Sequence, residues 1–280
     1  MDPANIPRFE RYVAIGDSST EGLDDPDGQG GFRGWANRLA ERVAQSQGTV
    51  QYANLAVRGL RTGDVLATQL DRAIGMRPNL ATVFAGTNDV VARRFDPDHV
   101  GRDMEAMQAG LRSAGATVLT FTLPDLTPVM PMARWVRPRV LALNNALRAA
   151  AQRSGALLVD IAQHPVASDP RLWSGDRLHA NSLGHARIAE ALANLIGLPG
   201  ATTAWSVPLR EPWAPTIGDR VSAEIRWGRE HLLPWILRHL RGRSSGDGVV
   251  AKRPELAELS GEFHGEDRRA RQESNLRPTA

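Results

Sequence analysis

Four short clusters of residues with chemical potential are scattered along the chain: Gly16-Asp17-Ser18, a lone Gly59, Gly86-Thr87-Asn88-Asp89, and Asp176-Arg177-Leu178-His179. A serine hydroxyl becomes a nucleophile only when a base takes its proton, and histidine is the side chain whose proton affinity suits that task near neutral pH. An aspartate three residues ahead of a histidine lies within one turn of it, close enough to hydrogen-bond the ring and stabilise its charged form. Ser18, His179 and Asp176 could therefore act together if folding brings residues about 160 positions apart into one place.

That requirement turns attention to the elements that carry them. Tyr12 to Ile15 is a short apolar run that stops at Gly16, so Ser18 sits in a tight polar turn at the end of a buried strand. A helix with Trp35, Leu39 and Val43 on one face follows a glycine-rich loop and ends before Gly48. A strand over Val50–Ala53 leads into the loop that holds Gly59. Thr62 to Ile74 reads as a helix, Leu80 to Ala85 as a strand closed by Gly86, and Asp96-Pro97 opens a helix through about Arg112. Strand Ala116–Leu123, helix Val136–Arg153, strand Ala156–Ile161 and helix Ser182–Leu195 complete the alternation. Strands alternating with helices of this length demand parallel pairing and right-handed crossovers. The expected fold is an α/β three-layer sandwich on a flavodoxin-like, five-stranded parallel sheet, whose site lies at the carboxyl ends of the strands.

With the order and spacing of all four clusters in view, the chain resembles the SGNH hydrolase superfamily, also called the GDSL esterases and lipases, over roughly residues 9–198. The resemblance implies that Ser18 attacks an ester carbonyl, that His179 is its base and that Asp176 orients His179. It further implies an oxyanion hole formed by the backbone N–H groups of Ser18 and Gly59 and the side-chain amide of Asn88. The residue types suit those roles: a glycine lets an acyl group approach its N–H closely, and an asparagine donates without ionising. Ser19-Thr20 stands where the family more often carries a bulkier residue after the serine, which bears on the shape of the acyl pocket. Asp17 and Asp89 are read as turn-holding acceptors and His185 as a packed helix residue.

Composition narrows the alternatives. Cysteine is absent, which removes thiolate nucleophiles and disulfides. Lys252 is the only lysine, and arginines are interspersed with carboxylates, so no nucleic-acid footprint is expected. The histidines lack zinc-site spacing and no dinucleotide or phosphate loop is present, so neither metal nor cofactor is expected. The first residues carry no basic head ahead of an apolar block, and no apolar run approaches the roughly 20 residues of a membrane span, so the expectation is a cytoplasmic protein.

Beyond Leu198 the character changes. Residues 199–243 form a connector rich in proline, with Trp205 and Trp213 docking it on the body, then a helix from Val221 to Leu240 kinked at Pro234. Between Arg226 and Arg243 that stretch has five arginines against Glu230, interleaved with Trp227, Leu232, Leu233, Trp235 and Ile236. Such a helix suits either packing on the hydrolase body or a partner, or weak association with an anionic membrane surface. Residues 244–280 are expected to be disordered. Gly242-Arg243-Ser244-Ser245-Gly246 fits the Gly-x-Ser-x-Gly elbow but has no strand before it, and is set aside. The functional expectation is a serine hydrolase acting on small-molecule or lipid acyl esters. The alternatives are a catalytically silent scaffold of the same fold and a membrane-peripheral lysophospholipase or thioesterase.

Overall fold

A computed structural model describes residues 8–210, 226–232 and 248–261, with the single residues 218, 222 and 246. Its strands are β1 (Arg11–Gly16), β2 (Thr49–Asn54), β3 (Leu80–Phe84), β4 (Thr117–Phe121), β5 (Leu157–Val159) and β6 (Arg253–Ser260). They form one sheet in the order β5-β4-β3-β1-β2-β6. The first five are parallel, in the expected flavodoxin-like arrangement, and β6 runs antiparallel to β2.

The helices are α1 (Ser18–Glu21), α2 (Gly34–Gln47), α3 (Thr62–Gly75), α4 (Thr87–Val91), α5 (Pro97–Ser113), α6 (Arg137–Ser154) and α7 (Ser182–Leu195). Helix α2 packs on α7, while α5 packs between α3 and α6, so the sheet is covered on both faces. Burial on both sides explains why β1 and β3 read as continuous apolar runs with hardly a polar alternation. Aromatic side chains fill the middle: Phe84 stacks on Phe121 at 4.0 Å and Trp35 meets Phe121 edge-on at 5.2 Å. Tyr12 and Tyr52, paired in register across β1 and β2, stack at 5.0 Å. Pairs of this kind add about 0.5–1.5 kcal/mol beyond the area they bury.

Two expectations are corrected by β6. The sheet has six strands, and the stretch expected to be disordered, 244–280, contains one of them. Arg253-Pro254-Glu255-Leu256-Ala257-Glu258-Leu259-Ser260 looks unlike a strand because it is charged, contains proline and spaces its two leucines three apart. An edge strand tolerates charge and proline; its pairing with β2 has a register irregularity between Tyr52 and Asn54, and Leu256 and Leu259 both pack against the core. Lys252 fastens the start of this strand by donating to the carbonyls of Phe32 and Arg33 at 2.9 and 2.8 Å. Burial pushes its ammonium pKa down to about 8.

Trp205 docks the connector as expected, packed against the core with His164 edge-on at 4.4 Å. Trp213 and most of 221–243 lie outside the described residues. Among those described in that stretch, Trp227 is buried against the hydrolase body. No helix among the described residues is long and apolar enough to cross a membrane.

Candidate active site

The turn after β1 is fixed by backbone geometry. A Cβ at Gly16 would collide with the carbonyl oxygen of Phe84 and the hydroxyl of Thr20, so the chain passes β3 only because this residue has no side chain. Gln69 of α3 clamps the same glycine with its amide, accepting from Gly16 N–H at 2.8 Å and donating to its carbonyl at 2.9 Å. Asp17 then caps α1 by accepting from Ser19 N–H at 3.1 Å, which leaves Ser18 at the first position of the helix. Asn54 at the end of β2 holds the helix from the other side, donating to the Thr20 carbonyl at 2.8 Å.

Across the crevice the loop before α7 presents His179. Its Nε2 lies 2.8 Å from Ser18 Oγ, and its Nδ1 lies 2.6 Å from Asp176 Oδ2. The other carboxylate oxygen of Asp176 accepts from Leu178 N–H (2.9 Å), His179 N–H (3.0 Å) and Ser174 Oγ (2.6 Å). Burial acts to raise the Asp176 pKa, but the hydrogen bond and charge of His179 and these backbone donors outweigh it and hold the carboxyl well below its usual range. An ionised carboxylate only accepts, so the His179 Nδ1 carries the hydrogen and Nε2 turns a lone pair toward the Ser18 hydroxyl. For His179 itself, burial favours the neutral ring, yet Asp176, Asp24 and Asp17 together raise its pKa.

The segments that carry the remaining expected residues are tied to the same turn after β1. Asn88 is the second residue of α4, following β3, and its amide donates to the Leu60 carbonyl at 2.8 Å and reaches Asp17 Oδ2 at 3.5 Å. One side chain therefore ties the residue after Gly59 to the residue before Ser18. Gly59 sits in the loop after β2 with φ of +80°, and that loop is held beside Gly16 by Val57 N–H donating to the Gly16 carbonyl.

Asp17 is fully buried. That burial pushes its pKa up to about 7, against the opposing pull of the Ser19 N–H and the His179 charge, and nearby Asp89 adds to the rise. Asp89 itself accepts from Thr62 N–H and hydroxyl, which anchors the start of α3. His185 stays out of the crevice. It is buried on α7, accepting at Nδ1 from Trp35 N–H and donating from Nε2 to the Leu23 carbonyl, and burial pushes its pKa down to about 4.

Three residues that touch the site carry no signal in the sequence. Ser174 Oγ lies 2.6 Å from both Asp176 and Asp24 and can donate its one hydrogen to either. Asp24 places a second carboxylate 3.8 Å from His179 Nδ1. Trp227 donates from its indole to the Asp176 carbonyl at 2.9 Å while Arg177 lies over its ring. Only the contents of the glycine-rich loop pointed anywhere near Asp24, and nothing in the local sequence pairs position 227 with 176. Asp24, Asp176 and His179 also have the mutual spacing of cation ligands, but a ring nitrogen whose hydrogen points at Asp176 has no lone pair to give a metal.

Residues 14–187 match the GDSL-like Lipase/Acylhydrolase family. The chain is similar to the GDSL lipase Rv0518 of Mycobacterium tuberculosis, with 28% identity over 199 residues, 68% of this chain and 83% of that one. Among solved structures it is similar to TesA, with TM-score 0.55 and 20% identity over 67% of this chain and 98% of that one. It is also similar to LAE5, described as an alpha/beta hydrolase enzyme from the metagenome of Lake Arreo, Spain, with TM-score 0.56 and 23% identity over 68% and 95%. A putative GDSL-like lipase from Parabacteroides merdae gives TM-score 0.57 and 15% identity over 69% and 98%. Identities this low establish a shared fold.

Proposed function

Since this chain belongs to the GDSL-like lipase/acylhydrolase family, we propose that it is a serine hydrolase that cleaves carboxylic acyl esters through an acyl-enzyme on Ser18. The observation that carries this reading is the position of one imidazole between two partners, 2.8 Å from the Ser18 hydroxyl and 2.6 Å from the Asp176 carboxylate.

In the first half-reaction Ser18 Oγ attacks the ester carbonyl while its proton passes to His179 Nε2, and Asp176 stabilises the imidazolium that forms. The carbonyl oxygen becomes an oxyanion, which the N–H groups of Ser18 and Gly59 and the amide of Asn88 receive. Collapse expels the alcohol, which takes its proton from His179. A water then enters, gives a proton to His179 and attacks the acyl group; Ser18 recovers its proton as the acid leaves. Two donors on short backbone segments and one on a side chain already braced against Leu60 need little reorganisation as charge develops, which is where such sites gain most of their rate.

The test is turnover of p-nitrophenyl esters of graded acyl length, with Ser18→Ala as the blank. Hydrolysis of any of these esters that disappears in the blank supports the reading; equal turnover by the blank removes it.

A further inference from the structure

We propose that Asp24 is a positioning residue for hydrolysis, a second carboxylate that supports the charged form of His179 alongside Asp176; this rests on the roles of Ser18 and His179 given above. Asp24 Oδ2 lies 3.8 Å from His179 Nδ1, on the same side of the ring as Asp176. Ser174 Oγ sits between the two carboxylates, 2.6 Å from Asp24 Oδ2 and 2.6 Å from Asp176 Oδ1, and its single hydrogen serves one of them at a time.

The loop is built to hold Asp24 there. Its predecessor Leu23 has its carbonyl bonded by His185 Nε2 of α7 at 2.9 Å. Its successor Asp25 is fully buried, accepting from Gly34 N–H and from the Arg38 guanidinium of α2 at 2.7 and 2.8 Å. Residues 23 and 25 are thus pinned to the two helices of one face, and the residue between them turns outward to the catalytic loop. It does so with φ of +65°, in the left-handed region that glycine enters freely and an aspartate enters only at a cost. A turn alone would be served better by glycine, so the carboxylate has a use of its own.

That use is electrostatic. When His179 takes the Ser18 proton it becomes a cation, and an anion 3.8 Å away stabilises the cation in the transition state more than the neutral ring before it. The titratable groups facing His179 are Asp176 on its own loop, Asp24 and Asp17 on the segments after β1, and His185 on α7. Asp24 is the one among them that is both close to Nδ1 and uncommitted to orienting the ring.

The experiment is the pH profile of p-nitrophenyl acetate hydrolysis by the full chain and by Asp24→Asn, Asp24→Glu and Asp24→Gly. Removing the charge lowers the His179 pKa, so in Asn and Gly the acid limb moves down by about one pH unit, with a plateau kcat lower by on the order of tenfold and KM little changed. Glu restores the limb toward wild type. Gly suits the left-handed backbone and guards against a folding failure of Asn: were Asp24 only a turn residue, Gly would leave the profile where it is. An unmoved limb in both Asn and Gly, with activity still abolished by Ser18→Ala and His179→Ala, overturns this proposal and leaves the hydrolase reading standing. Undiminished turnover by Ser18→Ala overturns both.

Discussion

Replacing Asp176 by asparagine removes one charge and almost no volume, yet the hydrogen bonds around it dictate a large effect. Oδ1 of Asp176 accepts from two backbone N–H groups and the Ser174 hydroxyl. Turning an amide nitrogen toward those backbone donors would leave them facing N–H and unpaired, at about 1–3 kcal/mol for each buried group. The asparagine oxygen therefore stays with the backbone, and its NH2 faces His179 Nδ1. The ring can meet that donor only by accepting at Nδ1, which moves its hydrogen to Nε2, opposite Ser18 Oγ. A protonated Nε2 cannot take the serine proton. The lost base function corresponds to a fall of about 10⁴ in kcat/KM, the magnitude seen when a triad carboxylate becomes an amide in serine hydrolases. The assay is p-nitrophenyl acetate turnover by Asp176→Asn, with melting temperature measured beside it. A loss of less than about tenfold in a folded Asn variant would refute the tautomer switch.

Asn88→Ala should lower kcat by about 10²–10³ with a small change in KM, and Asn88→Asp should be worse, because an anion then faces the developing oxyanion; steady-state kinetics on the two variants checks the order. His185 has its folded pKa depressed to about 4 against about 6.5 unfolded, so its contribution to stability is present above about pH 6.5 and lost as pH falls toward about 4. That amounts to up to about 3 kcal/mol, and urea titrations over this window should show a flatter pH slope in His185→Gln; an unchanged slope removes the claim. Truncation after residue 247 deletes β6 and exposes the edge of β2, so the melting temperature should fall and self-association rise by size-exclusion chromatography, whereas an unaltered monomer with unaltered melting would show that the strand adds nothing.

Much of the fold was readable because the five parallel strands and the helices between them carry strong periodicity. Tyr12 to Ile15 and Leu80 to Ala85 are apolar on both faces, and glycines mark where each strand ends. Ser18, Asn88 and His179 were readable for the same reason, since each follows a strand end or precedes a helix cap where local rules operate. β6 was not: its only large apolar side chains are two leucines, and it pairs with a strand some two hundred residues away. Asp24 and Ser174 were hidden for a similar reason, because aspartate and serine in loops are ordinary and only the distance across the crevice gives them meaning. Trp227 read as one member of an amphipathic helix face; its hydrogen bond to the Asp176 carbonyl joins elements that no sequence rule connects.

Hydrolysis by this chain requires first of all that Ser18 be an activated nucleophile. Incubation of the full chain with a fluorophosphonate, followed by peptide mass mapping, measures that directly. One adduct on Ser18, slowed strongly in His179→Ala, is the predicted result. A folded protein that takes no label at Ser18, or takes it equally well without His179, would contradict it.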